Sequence, residues 1–301
     1  MTTAATAETP WARGKLASSV EAGPRLLFGS MYEDVEIERR VFPAGGRVFC
    51  IAAAGTTAMR LAEEHDVVAC DINPVQLAYA ERRARGGLVE RGDAERAMSF
   101  ARRLMPLAGW REGVLREFLG MSNTAAQICF WRDRLDTWRF RTGFDLMMSR
   151  AVLRRVYAAE FLAFLPENFG SVVRARLERG FGLHANASNP YAAGLLLGEQ
   201  VDAAVSREKF GPRFLLGDAA SALETFGEGT FTGFTLSNIL DGAPAAYRER
   251  LSRAVRRAAA PGAVVVRRSF AEAADGMGKN YAGADRSMLW GVVEVLSAET
   301  M

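Results

Sequence analysis

Between residues 47 and 85 the chain alternates twice between a short apolar run and a helical pattern, and no other feature restricts the fold as much. Residues 48–52 form an apolar run that ends near Gly55, and a helical pattern follows over residues 56–64. Residues 67–72 form a second apolar run. Asn73 and Pro74 then open another helix, with a capping side chain and a proline in the first turn. Short apolar runs alternating with helices predict βαβ units and a parallel sheet. The rhythm stops near Gly86. Residues 86–181 hold no convincing strand but many helix formers, arginines and aromatics, Trp110, Trp131, Trp138 and Phe140 among them. A second Asn-Pro start at Asn189 and Pro190 predicts a helix reaching Lys209. Strands are expected again at 214–217, 231–237, 263–268 and 292–296, with a helix over 244–260.

The expected fold is α/β. A doubly wound sheet takes residues 46–85 and 190–301, a lead-in of residues 1–45 covers its ligand, and residues 86–189 form a helical insertion. An insertion of that length is too long for a plain loop and suits an acceptor-binding lid.

Composition narrows the class further. In 301 residues, 49% hydrophobic and 24% charged, there is enough apolar material for a sizeable core, which excludes disorder and small disulfide scaffolds. The net charge of +3 is too small to point to a nucleic-acid or membrane partner. Cys50, Cys70 and Cys129 lack the spacing of a zinc site or a disulfide framework, so no metal is expected. No signal peptide is visible, and apolar runs break well before the ~18 residues a membrane span needs. A cytoplasmic protein without a membrane span is expected.

Open α/β sheets bind ligands beyond the carboxyl ends of their strands. After the first predicted strand come Ala53, Ala54, Gly55, Thr56 and Thr57, small residues that allow close backbone approach. After the second come Asp71 and Ile72, with the carboxylate placed to accept from ribose hydroxyls. After the third come Asp218 and Ala219, where Asp218 either accepts from an adenine amino group or caps the next helix. After the fourth come Ser237, Asn238 and Asp241, a polar cluster at the reaction edge. A dinucleotide site wants a second glycine where Thr57 stands, and no phosphate-binding P-loop motif occurs. An adenosine ligand without phosphates fits better, and S-adenosylmethionine is the obvious one.

Residues 48–74, with Asp71 in the run Ala69-Cys70-Asp71-Ile72-Asn73-Pro74, resemble the Rossmann-like class I S-adenosylmethionine-dependent transferases. More narrowly the chain resembles the 3-amino-3-carboxypropyl transferases that include the diacylglycerol enzymes of betaine-lipid synthesis. Phe28-Gly29-Ser30-Met31-Tyr32-Glu33-Asp34, residues 236–241, Val266-Arg267-Arg268-Ser269 and Asp285-Arg286-Ser287 with Trp290-Gly291 carry the likeness. The departure lies in the first loop, where Ile51-Ala52-Ala53-Ala54 lacks the acidic residue and extra glycines of common methyltransferases.

The resemblance implies transfer of the 3-amino-3-carboxypropyl group of S-adenosylmethionine to an oxygen acceptor, releasing methylthioadenosine. Length and layout favour a small-molecule phenol, such as that of a nocardicin-type β-lactam. The alternatives are diacylglycerol as acceptor, a conventional methyltransferase, or a non-catalytic S-adenosylmethionine-binding module. On this reading Arg268 grips the ligand's carboxylate, Glu33 and Asp34 take its ammonium, and Met31 and Tyr32 cover it. The acceptor proton goes to Asp241, with His184 as the other candidate; the only further histidine, His65, reads as structural. Trp131, Trp138, Phe140 and Phe144 with their neighbouring arginines either line an aromatic acceptor pocket or form an ordinary amphipathic core.

Overall fold

A computed structural model describes residues 24–154, 159–201, 211–274 and 279–301. The start of the expected lead-in, residues 1–23, and the end of the helix expected to reach Lys209 lie outside them.

Six strands form one sheet: β1 (Arg47–Ile51), β2 (Asp66–Asp71), β3 (Arg213–Leu216), β4 (Phe231–Ser237), β5 (Ala259–Ser269) and β6 (Val292–Ser297). Their order is β3-β2-β1-β4-β5-β6. The first five run parallel and β6 pairs antiparallel with β5. The chain leaves β1 toward β2 on one side and later returns to β4 on the other, so the order reverses between β1 and β4. At such a reversal the loops on either side diverge and leave a crevice at the strand carboxyl ends.

Strand alternation sends side chains to two cores. Phe49, Val68, Cys70, Phe234 and Val265 pack with helices Ala219–Glu224 and Ala245–Ala258. Val48, Cys50, Val67, Ala69 and Val266 pack on the opposite face with helices Glu36–Val41, Thr56–Leu61 and Pro74–Ala84. Each fully buried aliphatic or aromatic side chain contributes about 1.5–3 kcal/mol, so a strand buried on both faces needs no polar alternation. The helix at Pro74 starts as its sequence predicts, with the Asn73 side chain accepting from Val75 and Gln76 N–H. The helix Pro190–Leu197 is capped likewise by Asn189 but ends at Gly198, whose φ of +76° takes the left-handed conformation.

The segment between the helix Pro74–Ala84 and β3 is helical throughout its named elements. Its core centres on Trp131, whose ring lies 5.8 Å from Trp110, 5.9 Å from Phe140 and 4.9 Å from Phe181. Phe144 belongs to the same core. Trp138 is instead 72% exposed, with the Arg139 guanidinium over its ring. Arg132 pairs with Glu178, and Arg141 with Asp136. Of the two readings the sequence leaves open, the ordinary core is the one that holds for Trp131, Phe140 and Phe144, whose rings fill the interior of the insertion, while Trp138 faces outward.

Helix Phe169–Leu183 ties this core to the sheet. Arg176 is buried and donates to the carbonyls of Leu289 at 2.9 Å, Phe270 at 2.9 Å and Ala271 at 3.2 Å. Arg179 donates to the Trp290 carbonyl at 3.1 Å. These arginines grip the loops that leave β5 and enter β6.

Candidate functional site

The crevice between β1 and β4 combines backbone in the left-handed region with buried polar atoms that ordinary packing does not explain. Beyond β1, Ala53 has φ +42° and Gly55 φ +85°; beyond β4, Asn238 has φ +59°. Side chains other than glycine rarely adopt such angles, and where they do the conformation usually serves a site. Ser237 Oγ and Asn238 Oδ1 are buried atoms with no hydrogen-bond partner of ordinary geometry among the described residues. A hydroxyl and an amide oxygen kept from water without partners each cost about 1–3 kcal/mol, a cost a bound polar ligand would remove.

Asp71 stands at the end of β2. Its two oxygens accept from Ala53 N–H at 3.0 Å and Asn73 N–H at 2.9 Å, which fixes the carboxylate against the β1 loop. Each oxygen keeps a further lone pair for a ligand hydroxyl. Burial raises its pKa to about 6 despite these N–H donors. The side chain is ringed by protein yet still reached by solvent, as a group lining a crevice would be.

The lead-in crosses this edge, held by side chains of which sequence patterns singled out only Trp290. Gln76 accepts from Leu27 and Phe28 N–H and donates to the Phe28 and Ala53 carbonyls, tying the lead-in to the β1 loop. Glu95 accepts from Gly29 and Ser30 N–H, and Tyr79 donates to the Gly29 carbonyl. Farther on, the Trp290 indole donates to Tyr32 O at 2.9 Å and Tyr191 donates to Glu33 O at 2.6 Å. A polar side chain on a helix facing a strand loop is the signal that points to Gln76, but its partners Leu27 and Phe28 lie 49 and 48 residues away in sequence.

Glu33 thereby reaches the middle of the crevice. Thr57 donates to its carboxylate at 3.1 Å, and Ser237 leans toward it without forming an ordinary hydrogen bond. Burial pushes its pKa up to about 7; Arg268 opposes the rise, while Glu38 and Asp285 add to it. Asp34 points elsewhere, into a bidentate pair with Arg286 at 2.5 and 2.6 Å. Its pKa falls because these bonds outweigh the opposing effect of burial.

Several expected site residues have other work. Arg268 is fully buried and donates from Nε to Asp285, from Nη1 and Nη2 to Glu38, and from Nη2 to the Asp34 carbonyl. Every guanidinium nitrogen is engaged, so it cannot also grip a ligand carboxylate; it is the internal counter-charge of the cluster. Asp34 is likewise engaged by Arg286 and is not open to an ammonium. Asp241 accepts from the Ser269 hydroxyl at 2.8 Å and Phe270 N–H at 2.9 Å, bracing the end of β5. Burial raises its pKa, and with only 2% of the residue exposed, against the part-exposed Asp71, it braces the turn rather than facing an acceptor. Asp218 caps helix Ala219–Glu224, accepting from both the N–H and hydroxyl of Ser221, and Ala219 is buried. Met31 packs against Ala54 and Tyr79, and Thr56 accepts from Arg83, so these side chains shape the turn from inside. Ile72 and Tyr32 remain part-exposed.

His184 caps the end of helix Phe169–Leu183 with Nε2 2.9 Å from the Gly283 carbonyl. A carbonyl only accepts, so Nε2 carries the proton and Nδ1 is the basic atom. Burial lowers its pKa, which keeps that atom unprotonated at neutral pH. Two shallow depressions of about 400 and 380 Å³ lie elsewhere, on the helical insertion, sharing Arg116, Leu197 and Glu199. Neither includes a residue of the crevice, and Arg116 and Glu199 pair with each other across both. The strand-end crevice, with its strain, orphaned polar atoms and shifted acids, is the better candidate. No protein-family model, curated protein or solved structure gives a significant match to the chain.

Proposed function

We propose that the protein is a Rossmann-like S-adenosylmethionine-dependent transferase that moves the 3-amino-3-carboxypropyl group to an oxygen acceptor, with a phenol favoured. The observation that carries this reading is the pair of acids along one crevice. Asp71, with spare lone pairs beside a tight β1 loop, suits a ribose diol. Glu33, among acids beyond the switch from β1 to β4, suits the cationic end of the same ligand. Ser237 and Asn238 supply polar atoms that lack partners.

The sulfonium activates its own carbons, so the protein's task is position. The acceptor oxygen attacks the methionine γ-carbon in line with sulfur. That carbon–sulfur bond breaks, its electron pair stays on sulfur, and neutral methylthioadenosine leaves. A phenol has a pKa of about 10, so modest help suffices, and His184 Nδ1 is the base we favour in place of Asp241. Arg286, held by Asp34 but with 36% of its side chain exposed, replaces Arg268 as the cation for the ligand's carboxylate.

One surface feature favours the lipid acceptor instead. Phe100 and Leu107 are 63% and 77% exposed, and their segment packs against the helix that begins at exposed Trp138, with Arg96, Arg103 and Arg139 also exposed. A basic patch with large apolar side chains suits an anionic membrane surface.

Mass spectrometry after incubation with S-adenosylmethionine and a panel of phenols and diacylglycerols tests the proposal. Enzyme-dependent methylthioadenosine with an acceptor heavier by one aminocarboxypropyl group supports it and identifies the acceptor class. S-Adenosylhomocysteine would mean methyl transfer, and release of neither would favour a binding module.

A further inference from the structure

Among the described residues, those acting on Glu33 leave its carboxylate short of positive charge. The groups acting on it come from every element around the crevice. Helix Glu36–Val41 brings Glu38, and the loop before β6 brings Asp285, both like charges. β5 brings Arg268, already divided between those two carboxylates. β1 brings Cys50, whose thiol burial holds well above its usual range and therefore neutral. Helix Thr56–Leu61 and β4 bring only the hydroxyls of Thr57 and Ser237. The neighbouring Asp34–Arg286 pair is internally balanced.

Resting on the functional reading above, we propose that Glu33 is the counter-charge for the cationic end of S-adenosylmethionine and gives up a proton to solvent when that cation binds. The site thereby holds the charged substrate and lets go of its neutral thioether product. S-Adenosylmethionine carries a sulfonium and an ammonium against one carboxylate. Methylthioadenosine, left after the aminocarboxypropyl group has gone, carries neither cation. The attraction that assembles the complex is thus abolished by the reaction itself, and Glu33 can regain its proton as the product leaves. With a pKa of about 7 the acid is half protonated at neutral pH, so binding of a cation displaces a substantial fraction of a proton.

Calorimetric titration of S-adenosylmethionine, S-adenosylhomocysteine and methylthioadenosine into the wild-type protein and Glu33→Gln, at pH 6 and pH 7, tests this. Below pH 7 the ligand's α-amino group stays largely protonated, so the protein's acid dominates the slope. Only the ionised fraction of Glu33 is competent, so wild-type affinity for S-adenosylmethionine rises about fivefold from pH 6 to pH 7. Methylthioadenosine shows no such rise. Comparing buffers of different ionisation enthalpy at pH 7 reveals release of about half a proton in the wild type, a readout that needs no variant. Glu33→Gln binds S-adenosylmethionine more weakly, without the slope or the proton, and keeps its affinity for methylthioadenosine. Wild-type binding of both ligands with neither slope nor proton release overturns the inference alone. Binding of neither ligand overturns the functional reading and the inference with it.

Discussion

Replacing Arg268 by methionine removes the one cation that Glu38 and Asp285 share while roughly preserving volume. Its four donated hydrogen bonds, valued singly, would sum to roughly 5–10 kcal/mol. That sum overstates the loss. The abandoned carboxylates can take up protons, and Glu38 keeps the Thr235 hydroxyl at 2.8 Å while Asp285 keeps Ser287 N–H at 2.9 Å. Breaking a buried ion pair from one side costs about 3–5 kcal/mol, and that is the expected loss here. In urea at pH 7, followed by circular dichroism, the midpoint should fall by about 1 M or more. Adding Glu38→Gln to Arg268→Met should restore part of the loss by removing one uncompensated charge. An Arg268→Met protein as stable as the wild type but unable to bind S-adenosylmethionine would refute the reasoning, because it would return Arg268 to the ligand.

Asp71→Ala should weaken binding of S-adenosylmethionine and methylthioadenosine alike by about ten- to a hundredfold, since both carry the ribose; unchanged affinity in a titration would remove the ribose assignment. Asp241→Asn should lose about 1 kcal/mol of stability, its amide oxygen keeping Phe270 N–H while its N–H₂ replaces a carboxylate oxygen beside the Ser269 hydroxyl, and under the proposed function turnover should change less than twofold. A large fall in kcat at unchanged stability would restore it as the base. Glu33 holds its proton more tightly in the folded chain than in the unfolded one, about 7 against an ordinary 4.5, so it favours folding at low pH. That contribution disappears as pH rises through about 7. Relative to Glu33→Gln, the wild type should therefore lose on the order of 3 kcal/mol between pH 4.5 and pH 8, and parallel denaturation curves at the two pH values would show the acid is unshifted. Gly180→Ala would bring a methyl within 2.2 Å of Met288 Cγ, and overpacking there should cost about 1–3 kcal/mol in a melting experiment.

The sheet was legible because its signals are local. Buried parallel strands read as apolar runs, and Asn73-Pro74 and Asn189-Pro190 announce helix starts with a cap and a fixed φ. Asp71 could be placed for the same reason, as an acid at the end of such a run. Arg268 could be placed but its partners could not. Strand alternation says that one of two adjacent arginines faces the interior, but not that Glu38, some 230 residues earlier, waits there. Asp241 and Asp218 illustrate a related ambiguity: an acid after a strand is a ligand group or a turn brace, and only the N–H groups it meets decide between them. The insertion's aromatics stayed open between pocket and core because a helix rich in tryptophan, phenylalanine and arginine reads alike whether its rings face a substrate or one another.

The grip of Arg176 and Arg179 on the loops around β5 and β6 has a consequence for any attempt to exchange the insertion. Those guanidinium groups satisfy the carbonyls of Phe270, Ala271, Leu289 and Trp290, and Met288 fills the insertion's own core. Excising residues 86–189 would leave these peptide groups wanting donors and would open both hydrophobic surfaces. A transplanted insertion from another protein would have to bring two arginines one helical turn apart, at the same register, or the recipient's reaction edge would loosen. The insertion is thus a keystone rather than a cassette, and changes to it are better made one residue at a time than by grafting.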